Sequence, residues 1–175
     1  DQLVLKFVRI LENHTEYVII SGYVSLLLGR SRQTEDVDIY LRFMDLAKFK
    51  ELYADFLSSG WNCMNVDEVE EIYSYLKDGL AVRIREGTDV IPNFELKFAL
   101  RPVDYDIFSE AVEVETSGGI IKISSLERQI AFKRHYLCSP KDLEDAAYVE
   151  QIARGHLNPE KISKYKKMVE LLLKE

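Results

Sequence analysis

Asp36 and Asp38 stand two residues apart in residues 36–41, a stretch where polar and apolar side chains alternate. That alternation is the period of a β-strand, so both carboxylates project to one face while Val37 and Ile39 turn into the core. Same-face neighbours on a strand lie about 6–7 Å apart, close enough for like charges to repel. A hard divalent cation relieves the repulsion by taking carboxylate oxygens as ligands. A solvated strand at a sheet edge accommodates the same pair, and the spacing leaves both readings open.

Other residues bear on the choice. Upstream, an apolar run ends at Ser21-Gly22 and a helix begins. The start of a helix offers unpaired N–H groups and positive dipole to a phosphate. Ser21 adds a hydroxyl, and Gly22 lets a ligand approach the backbone. An ordinary tight turn has the same look. Downstream, residues 94–98 repeat the alternation, with Glu95 and Lys97 on one face and Phe94, Leu96 and Phe98 on the other. Were that strand beside residues 36–41, Glu95 would be a third acid, able to ligate metal or to act as a base. Its competing role is a surface pair with Lys97. Asp104 and Asp106 are weaker candidates, because residues 103–111 look helical. Arg30 and Arg32 fall between the turn and the acidic strand, where guanidinium groups suit phosphate oxygens. Lys133, Arg134 and His135 form a basic cluster further on. A phosphate seat followed by an acidic pair on the next strand describes a nucleotide–metal site.

The elements that must position these groups follow from periodicity. Helical spacing of apolar residues predicts helices over 2–13, 23–28, 46–58, 68–76, 103–111, 125–137, 142–153 and 159–173. Strands are expected over 17–20, 36–41, 61–66, 80–85, 94–100, 112–115 and 120–123, the last two joined through Ser117-Gly118-Gly119. The order implies an α+β fold, a mixed β-sheet flanked by helices with a helical C-terminal part. We expect residues 1–124 to form the core and 125–175 to pack on it as one compact unit. In the last helix Ile162, Tyr165, Met168, Val169 and Leu172 make an apolar stripe, suited to docking on the chain's own core or to a dimer or partner surface.

Composition narrows the function classes. Hydrophobic residues at 47% and charged residues at 30% fit a globular protein rather than a disordered one. A net charge of −7 argues against broad non-specific adhesion to nucleic acid, though not against a local basic groove. Cys63 and Cys138 are far apart, as are His14, His135 and His156, so no zinc spacing is present. No apolar run approaches a membrane span, and the opening residues read as an amphipathic helix rather than a signal peptide. A cytoplasmic location is the expectation.

The run Tyr17-Val-Ile-Ile-Ser-Gly-Tyr-Val-Ser-Leu-Leu-Leu-Gly-Arg-Ser-Arg-Gln-Thr-Glu-Asp-Val-Asp-Ile resembles the signature of polymerase-β-like nucleotidyltransferases. The small prokaryotic forms, of abortive-infection and toxin–antitoxin type, are the most similar. Their pattern is a hydrophobic strand, a Gly-Gly or Gly-Ser pair, a helix, Asp-x-Asp on the next strand and a later third acid. Ile123-Ser-Ser-Leu-Glu-Arg-Gln-Ile-Ala-Phe-Lys-Arg, followed by Lys141-Asp142-Leu-Glu-Asp145, is similar to the family's C-terminal half, so the resemblance covers residues 15–150. It implies the nucleotidyltransferase fold and a Mg²⁺-dependent transfer (Mn²⁺ is an alternative) of a nucleotide from a nucleoside triphosphate to a hydroxyl on RNA, protein or a small molecule. Asp36, Asp38 and Glu95 would hold metal. Ser21, Gly22, Tyr23, Arg30, Arg32, Lys97 and Lys133 would contact the nucleotide. The chain departs from the pattern in Ser21 for a glycine, bulky Tyr23 for a small residue, and Glu95 where Asp is common. The competing reading is a catalytically silent module that binds nucleotide, a second copy or an antitoxin partner.

Overall fold

The computed structural model describes residues 2–31 and 35–174. The first half alternates helix and strand: α1 (Gln2–Glu12), β1 (Tyr17–Ile19), α2 (Gly22–Leu27), β2 (Asp36–Leu41), α3 (Leu46–Ser58), β3 (Trp61–Cys63) and α4 (Val69–Lys77). Four strands follow: β4 (Val82–Glu86), β5 (Asn93–Phe98), β6 (Val112–Thr116) and β7 (Gly119–Ile123). The chain ends in α5 (Leu126–Phe132), a π-helical turn over Lys133–Leu137, α6 (Pro140–Ile152) and α7 (Pro159–Leu172). No helix among the described residues is long and apolar enough to cross a membrane.

Among the described residues the strands form one mixed sheet in the order β3-β4-β5-β2-β1-β7-β6. β2–β5 and β1–β7 are parallel and the other neighbours antiparallel. The α+β expectation therefore holds. Placing β5 directly beside β2 is the step that matters for chemistry, since it pairs Asp38 with Glu95 across one rung.

The sheet's two faces divide the labour. Val37, Ile39 and Leu41 of β2 and Phe94, Leu96 and Phe98 of β5 are buried with Val4, Phe7, Phe49 and Phe56 of α1 and α3. Phe7 stacks between Phe56 and Phe94, with ring centroids at 4.8 and 4.0 Å. Fully burying aromatic and aliphatic side chains stabilises by about 1.5–3 kcal/mol each, so this face holds both strands in place. The polar positions of β2 and β5 are left on the other face, beneath the C-terminal helices.

That C-terminal part is tied to the sheet by polar contacts as well as packing. Tyr148 donates to the Leu28 carbonyl at 3.0 Å. Arg30 pairs with Glu144 at 2.7 Å and also with Asp145. The apolar stripe of α7 turns inward at Tyr165 and Val169, both fully buried.

Three local expectations are corrected. Residues 103–111 form a 3₁₀ turn at Pro102–Asp104 and further turns rather than a helix. Asp104 and Asp106 are held there by Arg128 from α5, a tertiary pairing that overrides local helix preference. The strand predicted over 61–66 stops at Cys63, where the Asn65 side chain accepts from the Arg83 N–H at 2.7 Å in place of a ladder bond. The helix predicted over 125–137 widens at Lys133, whose carbonyl accepts from the Cys138 N–H at 3.1 Å. The hairpin at Ser117-Gly118 closes as read; a Cβ on Gly118 would lie 2.7 Å from the end of the Leu5 side chain of α1, which would have to shift to admit it.

Candidate metal and nucleotide site

The parallel register brings the three acids together. Asp36, Asp38 and Glu95 each offer a carboxylate oxygen, and those oxygens lie within 4.8 Å of one another. All three are partly buried. Concentrating negative charge there is costly, and it shows in Asp38, whose pKa is pushed up to about 6. Burial is the largest cause, followed by the charges of Asp36 and Glu95; a hydrogen bond from Ser21 and the charge of Lys97 pull the other way. Three converging carboxylates are oxygen donors of the kind that fits a hard divalent cation.

Ser21 reaches Asp38 because of an unusual backbone. It precedes α2 with φ 64° and ψ −133°, a conformation glycine adopts readily and an L-residue does not. The serine thus occupies the position for which the resemblance expects glycine, and its hydroxyl is spent on the acidic strand.

Beside the acids lies a cavity of about 350 Å³ between the sheet and the α5 region. Ser21, Asp38 and Lys97 line one side and Lys133 and Tyr136 the other. Four basic residues, Lys97, Arg101, Arg128 and Lys133, border it against two acids, Asp38 and Asp104. Each cation is positioned by a partner. Lys97 lies 3.1 Å from Glu95. The Lys133 ammonium group, almost fully buried, donates to Asp145 at 2.7 Å and Asp142 at 3.2 Å. Arg101 donates to Asp104 at 2.8 Å and to the Tyr40 hydroxyl at 2.9 Å, and its guanidinium lies 5.7 Å from the Tyr136 ring centroid. Burial works against its charge, but Asp104 and the two tyrosines more than offset that, so its pKa is raised.

The residues anticipated from sequence divide accordingly. Asp36, Asp38 and Glu95 converge, and Ser21, Lys97 and Lys133 face the adjoining cavity. Gly22 is buried at the first position of α2. Tyr23 is 7% exposed and packs in the main core, so the structure does not bring its ring to the cavity. Burial raises its hydroxyl pKa. Arg30 is turned toward α6 by Glu144 and Asp145 rather than toward the acids. Arg32 lies outside the described residues. Asp104 and Asp106 anchor Arg101 and Arg128 instead of joining the triad. The sequence reading missed Arg83, 3.4 Å from Glu95, and the Arg101–Tyr40–Tyr136 wall. Arg101 meets Asp104 locally, but its tyrosine partners are 61 and 35 residues away and leave no periodic trace. Arg83 shares the face of Glu95 only once β4 is known to pair with β5.

No protein-family model and no curated protein matches the chain. Solved structures do. An antigenic nucleotidyltransferase-like protein from Paracoccidioides brasiliensis superposes with a TM-score of 0.57 at 16% identity, over 98% of this chain and 85% of that one. ANT(2'')-Ia in complex with adenylyl-2''-tobramycin gives 0.58 at 17% identity, over 98% and 97% of the two chains. A solution structure of the same antibiotic-resistance factor gives 0.58 at 16%, over 98% and 91%. The fold is that of the nucleotidyltransferases.

Proposed function

We propose that the chain transfers a nucleotide from a nucleoside triphosphate to a hydroxyl acceptor, with Mg²⁺ or Mn²⁺ held by Asp36, Asp38 and Glu95. The observation that carries this reading is the convergence of three carboxylates, one of them Asp38, at the wall of a basic cavity. When bound, the cation supplies charge neutralisation at the transferring phosphoryl group and at the oxygens that attack and leave. The chain's own residues supply position. Lys97 and Lys133 bind phosphate oxygens, and their carboxylate partners keep both ammonium groups oriented until substrate arrives. Ser21 aims Asp38. Arg101, fixed by Asp104 against Tyr136, offers a flat cationic surface on which a base stacks.

The acceptor is the less constrained half. The presence of adenylyl-2''-tobramycin in a structural neighbour supports a small-molecule hydroxyl over RNA or protein. The excess of basic over acidic residues around the cavity suits an anionic ligand, which the triphosphate is.

The test is titration with ATP, GTP, CTP and UTP, with and without Mg²⁺, read as thermal stabilisation. We expect a Mg²⁺-dependent rise in Tm with at least one nucleotide that disappears in Asp36→Asn, followed by labelled-nucleotide transfer to an acceptor. No rise with any nucleotide at millimolar concentration would overturn the reading and leave a silent module that engages a protein partner.

A further inference from the structure

Asn93 opens β5 directly beside Asp36, in register on the neighbouring parallel strand. Laterally paired residues of parallel strands turn their side chains to one face. The next rung identifies that face, because Asp38 and its partner Glu95 both converge with Asp36. Four side chains therefore occupy the corners of one patch, Asp36 and Asp38 along β2, Asn93 and Glu95 along β5. Three of the corners are the carboxylates already described. The fourth is an amide.

The state of that amide is unusual. Asn93 is 7% exposed, and its side-chain carbonyl oxygen is buried with no hydrogen-bond partner. Its nitrogen is engaged, donating to the backbone carbonyls of Glu35 and Val90, each at 3.4 Å. Both of those partners are acceptors only, so the nitrogen belongs where it is and the oxygen is the atom left over. Buried acceptors without a donor are rare in native proteins, and an unoccupied ion position is one of the reasons they occur.

We propose that Asn93 contributes a fourth protein oxygen to the cation site formed by Asp36, Asp38 and Glu95. A neutral amide oxygen is a hard donor of the kind such ions accept. It adds a ligand without adding to the repulsion already evident among the three acids. Placed at the start of β5, it closes the side of the site next to Asp36, where Glu95 stands one rung away. The inference rests on the metal reading of the same acids.

The experiment is Mn²⁺ binding to the nucleotide-free protein, measured by electron paramagnetic resonance of the free ion and by calorimetry, in wild type, Asn93→Leu, Asn93→Asp and Asp36→Asn. Loss of the oxygen in Asn93→Leu is expected to weaken Mn²⁺ by about tenfold, in the range that removing a metal's supporting group gives. Its metal-free Tm should stay close to wild type, because removing the orphaned acceptor offsets the loss of the amide's two long hydrogen bonds to the Glu35 and Val90 carbonyls. Asn93→Asp, which keeps an oxygen and adds charge, should bind more tightly than wild type. Wild-type affinity in Asn93→Leu alongside weakened binding in Asp36→Asn overturns the role of Asn93 and leaves the acidic site standing. Should the leucine variant fail to fold, an Asn93→Asp protein that binds no tighter than wild type has the same consequence. Absence of Mn²⁺ binding by the wild type itself removes the metal reading and this inference together.

Discussion

Asp38 on β2 and Glu95 on β5 face each other across one rung of a parallel pair, yet their surroundings differ. Glu95 has Lys97 at 3.1 Å and Arg83 at 3.4 Å. Asp38 has the Ser21 hydroxyl and two carboxylate neighbours, and is the member whose pKa rises to about 6. At neutral pH the metal-free protein therefore holds an ionised Asp38 at a cost. We predict that Asp38→Asn raises the metal-free Tm at pH 7.5 by about 2–4 °C, the shift that ~1 kcal/mol gives a chain of this size. The same variant should lose the Mg²⁺–nucleotide stabilisation. Thermal unfolding with and without ligand checks both; a metal-free variant less stable than wild type would contradict the electrostatic account.

The sign of the pH dependence follows from the same residue. Asp38 has a folded pKa of about 6 against an ordinary 3.8, so between those values the native state binds more protons than the unfolded one. Its contribution to metal-free stability is then fully present below pH ~4 and is lost as pH rises through about 6. Metal binding runs in the opposite sense, because the cation needs the carboxylate deprotonated. Mn²⁺ affinity is expected to be flat above pH 7 and to fall toward tenfold per unit below about 6. Calorimetric titration at pH 5, 6, 7 and 8 measures this, and a pH-independent affinity would show that Asp38 is not a ligand.

Ser21 separates backbone strain from hydrogen bonding. At φ 64° and ψ −133° a non-glycine residue carries strain of about 1–3 kcal/mol, while its hydroxyl holds Asp38's pKa down. Ser21→Gly should stabilise the fold by about 0.5–1 kcal/mol net of glycine's greater unfolded-state entropy. It should also move the midpoint of the metal-binding pH profile upward. Ser21→Ala should move the midpoint in the same way without the gain in stability. Denaturant unfolding and the pH series together distinguish the two effects.

Much of this was legible in the sequence because it is local. The alternation in residues 36–41 put Asp36 and Asp38 on one face, and the same parity in residues 94–98 put Glu95 with Lys97. Asn93 has that parity too, but an uncharged amide at the start of a strand carries no sequence signal of chemistry. What could not be read was pairing at a distance. Nothing near Arg128 says that it will be buried against Asp104 and Asp106. Nothing near Arg30 says that α6 will draw it away from the acidic strand. Tyr23 follows Ser21 and Gly22 in sequence, but α2 turns its ring into the core. Side chains whose direction depends on which helix packs where are set by the tertiary fold, and the sequence offers only their chemistry.

Asp145 gives the test of how the cavity's far wall is held. It is fully buried and accepts from Lys133 at 2.7 Å, while Arg30 pairs with its other oxygen. Lys133 keeps a second acceptor in Asp142, whose pKa is lowered, against the effect of its partial burial, by hydrogen bonds from Ser139 and Lys133. Removing the buried charge takes from Lys133 and Arg30 the carboxylate they share and leaves them only the more exposed Asp142 and Glu144, and breaking a buried pair costs about 3–5 kcal/mol. Asp145→Asn is therefore predicted to be strongly destabilising, and Asp142→Asn only mildly so, since Asp142 is partly exposed and Asp145 remains. The two variants should also differ in nucleotide binding. Asp142→Asn leaves Lys133 directed by Asp145 and should keep affinity within about threefold, whereas Lys133→Met, which preserves bulk but removes the ammonium, should weaken nucleotide binding by about tenfold or more, the worth of one charge-assisted hydrogen bond. Chemical denaturation and nucleotide titration of the three proteins read the two effects separately. Unchanged nucleotide affinity in Lys133→Met would mean that Lys133 serves only to fasten α6 beneath the π-helical turn.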